Sequence, residues 1–117
     1  MAKVLCVDDD ESVARLVADV VAFCGHQPIT VMDPFEVALL LRREHPGALL
    51  TDYMMPKVDG IELLLIAQET SPSTRRVLIT AAPQEAAVRS ALQTGVAQRV
   101  IAKPPGIAEI REALAWL

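Results

Sequence analysis

Aromatic residues are almost absent from this chain: one Trp, one Tyr and two Phe make up 3% of it. A core can still form, because 52% of the 117 residues are hydrophobic, but it has to be built from Val, Leu, Ile and Ala. Cysteine is scarce too. Cys6 and Cys24 lack metal-ligand spacing, and each falls in an apolar pattern, so both read as reduced core thiols. The two histidines, His26 and His45, lie beside Gly or Pro and read as solvated turn residues. Zinc chemistry and histidine-based hydrolysis are therefore set aside, and neither Ser-His-Asp nor Cys-His spacing is convincing. A Gly-rich phosphate loop is missing. No apolar run approaches a membrane span, so no membrane partner is expected. Positive charge is short, with 11 Lys and Arg against 15 Asp and Glu and a net charge of -4, which gives no electrostatic reason to expect nucleic acid. The start, Met1-Ala2-Lys3, runs straight into a strand-like segment without a signal-peptide pattern, and a cytoplasmic location is expected.

What is present is a repeated alternation. Lys3-Val4-Leu5-Cys6-Val7 is an apolar run without internal alternation, as in a strand covered on both faces. From Glu11 the period changes, and Val13, Leu16, Val17, Val20, Val21 and Cys24 form a helical stripe that Asp10 can cap and Gly25 can end. Residues 27–31 read as a short strand, and Pro28 places it at a sheet edge. A helix follows over about 34–44, begun by Pro34 and stopped by His45-Pro46-Gly47. The third strand covers 48–51, with Asp52 at its end and a loop punctuated by Pro56 and Gly60 after it. Then come a helix over 61–69, a strand over 76–80, an Ala-rich helix over 83–94 ended by Gly95, a strand over 99–102, and a helix with Ile107, Ile110, Leu114 and Leu117 on one stripe. This pattern predicts one α/β domain over 1–117, a doubly wound (βα)5 parallel sheet between two helical layers, with right-handed crossovers.

The strands end in chemistry. Asp8, Asp9, Asp52, Thr80 and Lys103 all fall at strand carboxyl ends, the edge where open parallel sheets bind ligands. Taken alone, Asp52 could equally cap the following turn. Asp8 and Asp9 could cap a helix, and Thr80 and Lys103 could be ordinary strand-end and loop residues. Five such residues at one edge favour a shared site. Three close carboxylates repel one another, and a divalent cation relieves the conflict; oxygen-only ligands favour Mg²⁺ over zinc. A carboxylate beside Mg²⁺ can attack a phosphoryl group, while Lys103 offers a point charge and Thr80 a hydrogen bond to its oxygens.

The chain resembles the receiver domain of two-component response regulators over nearly its whole length. The motifs are Val7-Asp8-Asp9-Asp10, Thr51-Asp52-Tyr53-Met54-Met55-Pro56 with Asp59-Gly60, Leu78-Ile79-Thr80-Ala81, and Lys103-Pro104. The resemblance implies a flavodoxin-like sheet in the order 2-1-3-4-5 and a phosphorelay role, with Asp52 accepting phosphate from a histidine kinase or phosphotransfer protein. It implies Mg²⁺ held directly by Asp9 and Asp52, through water by Asp8, and by the backbone carbonyl of Met54. A cis peptide before Pro104 is also implied. Such a domain is a signalling module that catalyses its own phosphorylation and hydrolysis. It switches an output domain, a partner protein or a homodimer through the face formed by the fourth helix, fifth strand and fifth helix, which Ala86, Ala87, Ala91 and Ala97 would make small-sided. One departure stands out. The residue three before the lysine is usually Tyr or Phe, and here it is Val100, with one stiff torsion and no ring. Val100 favours a rival reading, a binding module that signals without phosphate. A flavin-binding enzyme is the other rival, and Asp8-Asp9-Asp10 in place of a phosphate loop argues against it.

Overall fold

A computed structural model describes residues 1–117. Its strands are β1 (Lys3–Val7), β2 (Gln27–Val31), β3 (Ala48–Asp52), β4 (Arg75–Thr80) and β5 (Arg99–Ala102). Its helices are α1 (Glu11–Phe23), α2 (Val37–Glu44), α3 (Gly60–Thr70), α4 (Ala86–Thr94) and α5 (Ile107–Leu114). All strand pairs are parallel, in the order β2-β1-β3-β4-β5, as the resemblance implies. The unalternating apolar runs are explained by burial on both faces. In β1, Val4 and Cys6 join the core beneath α1 and α5, whereas Leu5 and Val7 join the core beneath α2, α3 and α4. Pro28 lies on the edge strand β2, where a missing N–H is tolerated.

Several boundaries differ from the sequence expectation. Pro34 opens a single 3-10 turn, Pro34–Glu36, before α2 begins. Pro83 does not start α4, which begins at Ala86 after a turn closed by the Glu85 N–H on the Ala82 carbonyl. Proline fixes its own φ but does not decide where the first helical hydrogen bond forms. Ile107 is exposed, and Leu117 lies beyond the end of α5. His26 is half-buried rather than solvated, and its Nδ1 accepts from the Ala2 N–H at 3.1 Å. Ala91 and Ala97 are buried in the core, so they do not belong to the exposed small-sided face expected of α4 and β5.

The largest surprise in the core is a charge. Arg76 is only 6% exposed, and no carboxylate meets it. Its Nε donates to the Val96 carbonyl and its Nη2 to the Gly95 carbonyl, both at 3.0 Å, with longer contacts to Pro72 and Thr74. Hydrogen bonds from a charged donor contribute about 1.5–3 kcal/mol each. Arg76 thus fastens the segment between α4 and β5 to the start of β4, at the end of the sheet opposite the acids.

Candidate functional site

The parallel sheet brings the carboxyl ends of β1, β3, β4 and β5 to one edge. Asp52 is the last residue of β3, and Asp8 follows β1 directly. The carboxylate oxygens of Asp8, Asp9 and Asp52 can all lie within 4.8 Å of one another. Asp8 and Asp52 are buried, and Asp9 is exposed. Lys103 enters from the end of β5, and its Nζ lies 2.9 Å from Asp52 Oδ1 and 3.3 Å from Asp8 Oδ2. Its backbone N–H donates to the Thr80 carbonyl at 2.9 Å, and the peptide to Pro104 is cis. Thr80, 2% exposed, ends β4 beside Lys103, and its hydroxyl oxygen accepts from the Ala82 N–H at 3.0 Å.

The capping alternatives are resolved by the hydrogen bonds. Asp10 caps α1, accepting from the Ser12 N–H at 3.0 Å and the Ser12 hydroxyl at 2.7 Å. Asp59 caps α3, accepting from the Glu62 N–H at 2.9 Å. Asp52 therefore caps neither helix, and its carboxylate faces Lys103. Asp8 accepts from the Asp10 N–H at 2.9 Å, which orients it toward the cluster.

The electrostatics follow from burial and crowding. Burial pushes the Asp8 carboxyl up, and the Asp52 charge adds to this, outweighing the Asp10 N–H and Lys103. Burial pulls Lys103 down, but its hydrogen bonds and ion pairs with Asp52 and Asp8 prevail, so its pKa is raised and it stays protonated. Three acids face one ammonium, so the edge retains room for a hard cation. The donor set fits Mg²⁺, since it is made of carboxylate oxygen alone. Met54 lies two residues past Asp52 in the loop, with its side chain 67% exposed, and could add only a backbone carbonyl. Beside Asp9, a cleft of about 300 Å³ opens between Met32, Pro34, Met55 and Lys57 and leads in from solvent.

Two contacts here were not expected from the sequence. Gly60, the first residue of α3, packs against the Asp52 carbonyl so closely that a Cβ would collide with it. Tyr53, next to Asp52, is buried and donates its hydroxyl to Glu85 Oε1 at 3.0 Å. The Gly was visible as a turn signal, but its contact is set by packing of a helix onto a strand end. The Tyr–Glu pair spans 32 positions in sequence, with no local signal to reveal it.

The family model described as response regulator receiver domain matches residues 4–115. The chain is 35% identical over 116 residues to a probable chemotaxis protein CheY of Rhizobium etli, with 96% of this chain and 88% of that one covered. It is 36% identical over 108 residues to a protein-glutamate methylesterase/protein-glutamine glutaminase 3 of Geobacter metallireducens, covering 87% of this chain and 29% of that longer protein. Among solved structures, a CheY-like receiver domain protein of Methanospirillum hungatei matches with a TM-score of 0.89 at 21% identity, covering 99% of this chain and 92% of that one. That last likeness is one of fold.

Proposed function

The chain belongs to the response regulator receiver domain family, and from that premise we propose that residues 1–117 form one receiver domain with Asp52 as its phosphoryl acceptor. The observation that carries this reading is the placement of Lys103 Nζ between Asp52 and Asp8, within a cluster of three acids. The phosphodonor is a phosphohistidine on a sensor kinase or phosphotransfer protein in the cytoplasm. A carboxylate oxygen of Asp52 attacks phosphorus and forms the new P–O bond. The P–N bond breaks, and the imidazole leaves with the electron pair and takes up a proton. Mg²⁺ held by Asp8, Asp9, Asp52 and the Met54 carbonyl would offset the charge on the transferred oxygens. The Lys103 ammonium pairs with one phosphoryl oxygen, and the Thr80 hydroxyl turns to donate to another. The domain thereby catalyses its own phosphorylation and dephosphorylation, as a switch rather than a metabolic enzyme. Since the matched unit makes up under a third of the Geobacter protein, an output domain or separate partner is the proposed recipient of the signal, through α4, β5 and α5. A homodimer through the same face is a further form of output. The complete set of acids, Thr80 and Lys103 favours this reading over a phosphate-independent module. Incubation with acetyl phosphate, with and without Mg²⁺, tests it: an acid-labile adduct that needs Mg²⁺ is expected, and no adduct under either condition would overturn it.

Lys103→Ala separates binding from response. Removing the ammonium takes away the ion pairs at 2.9 and 3.3 Å and leaves the acids free for the cation. Magnesium titration should show affinity maintained or raised by about tenfold, as expected for loss of one nearby competing charge. The structural response to a loaded Asp52 should fall away. Loss of Mg²⁺ binding in this variant would contradict the assigned role.

Hydrolysis needs a water aligned with the phosphoryl group. The side chains best placed by family resemblance to hold it belong to Met54 and Ala82, and neither can hydrogen-bond a water in the required way. A slowly decaying phosphoprotein is expected. Met54→Asn or Ala82→Glu should shorten the lifetime by about tenfold. If neither variant accelerates phosphate release, these positions do not control the water.

A further inference from the structure

Val100 is half-buried against the core beneath α2, α3 and α4. It has no polar atom, and its single stiff torsion cannot report a change at Asp52. A ring does reach this region from another position. Tyr53 packs in the same core as Val88 and Ala91 of α4, and its hydroxyl meets Glu85 at 3.0 Å. Glu85 occupies the cap position before α4 in extended conformation, yet its side chain caps nothing. Glutamate is not a favoured cap residue, so the contact with Tyr53 is what fixes its side chain.

The bond completes a circuit. The Glu85 N–H donates to the Ala82 carbonyl at 3.1 Å. The Ala82 N–H donates to the Thr80 hydroxyl oxygen at 3.0 Å. On the other side, Tyr53 is bonded covalently to Asp52, and its N–H donates to the Ile79 carbonyl at 3.1 Å. The ends of the circuit, Asp52 and Thr80, are the two residues that the proposed function sets against one phosphoryl group.

We propose that the Tyr53–Glu85 hydrogen bond is a latch that holds the start of α4, and that it opens when Thr80 turns toward a phosphoryl group on Asp52. The inference rests on the phosphoryl-acceptor reading. Tyr53 is anchored to β3 and β4 through its backbone and cannot follow the moving turn. The 80–85 turn is tied together by the Thr80–Ala82 and Ala82–Glu85 bonds and shifts as one piece. Glu85 is thereby drawn off the fixed hydroxyl. The signal reaches α4 without a side-chain flip in β5. This is a two-state element biased by one charge-assisted contact.

Tyr53 is the only tyrosine, so a ¹³Cζ label gives one resonance for the latch. Wild type, Tyr53→Phe and Glu85→Ala are compared in Mg²⁺ alone and after beryllofluoride, which stands in for the phosphoryl group, with loading read separately by ¹⁹F spectra. Phe keeps the buried ring, and Glu85 is exposed, so both variants preserve the packing. In wild type, loading should move the Tyr53 resonance toward its position in unloaded Glu85→Ala. In both unloaded variants, amides 89–92 should exchange about tenfold faster than in wild type, for loss of one hydrogen bond to a charged group, and loading should change them little further. With loading confirmed, an unmoved Tyr53 resonance or a full wild-type exchange response in Tyr53→Phe would overturn the latch alone. Failure of wild type to load would overturn the phosphoryl-acceptor reading, and the latch with it.

Discussion

Asp52→Asn is expected to reduce Mg²⁺-dependent phosphoryl labelling to background while leaving the protein folded. An amide oxygen is a poor nucleophile, and an Asn could not form the acyl phosphate even with the donor in place. The fold should tolerate the change because Asp52 contributes crowding as well as pairing. It lies in a group of three acids whose oxygens come within 4.8 Å, and removing one charge relieves repulsion. Lys103 keeps its partner Asp8 at 3.3 Å. Thermal melting should therefore stay within about 3 °C of wild type, or rise. Magnesium affinity should drop by about tenfold or more, for loss of one anionic oxygen ligand. Undiminished labelling of the Asn variant would remove Asp52 from its assigned role.

Gly60→Ala should produce the largest loss of stability from the smallest added group. The new Cβ would collide with the Asp52 carbonyl oxygen and approach Leu78 Cδ1 at 2.9 Å. The carbonyl has little room to retreat, because Asp52 is held in register with Ile79 of β4 and the preceding Thr51 is paired to β1 as well. The start of α3 has to back away instead, or the end of β3 has to bend. A cost of about 3 kcal/mol, or roughly 10 °C in Tm, is expected for such overpacking against backbone. Displacing the end of β3 also moves Asp52, so Mg²⁺ affinity should fall together with stability. Gly106→Ala is the control: the only nearby group there is the flexible end of Glu109, and the melt should change little. Equal melting of the two variants would show that the close approach at Gly60 does not constrain the site.

The strands and the functional edge are legible in the sequence because pattern and chemistry coincide there. Unalternating apolar runs such as Val4 to Val7 announced strands buried on both faces, and the polar residues after them announced the functional edge. Features that three-dimensional packing decides are less legible. Asp10 was legible as the cap of α1 and is that cap, but the carboxylates of Asp8, Asp9 and Asp52 could be told from caps only by their contacts in the folded chain. Alanine carries little polarity contrast, so the inward turn of Ala91 and Ala97 left no signature. Nothing local in the sequence marks Arg76 for burial, which depends on carbonyls of Gly95 and Val96 that come close only in the folded chain. Pro34 and Pro83 mark the approach to helices but not their first residues, because each lies in a turn that precedes the helix.

The central claim is that Asp52 accepts a phosphoryl group within a magnesium-binding acid cluster. Borohydride reduction after treatment with acetyl phosphate tests it most directly, because an aspartyl phosphate is converted to homoserine and its position can be read by peptide mass spectrometry. The account predicts homoserine at position 52 alone, in the presence of Mg²⁺ and not in its absence. Homoserine at position 8 or 9, or conversion at 52 that is indifferent to Mg²⁺, would contradict it.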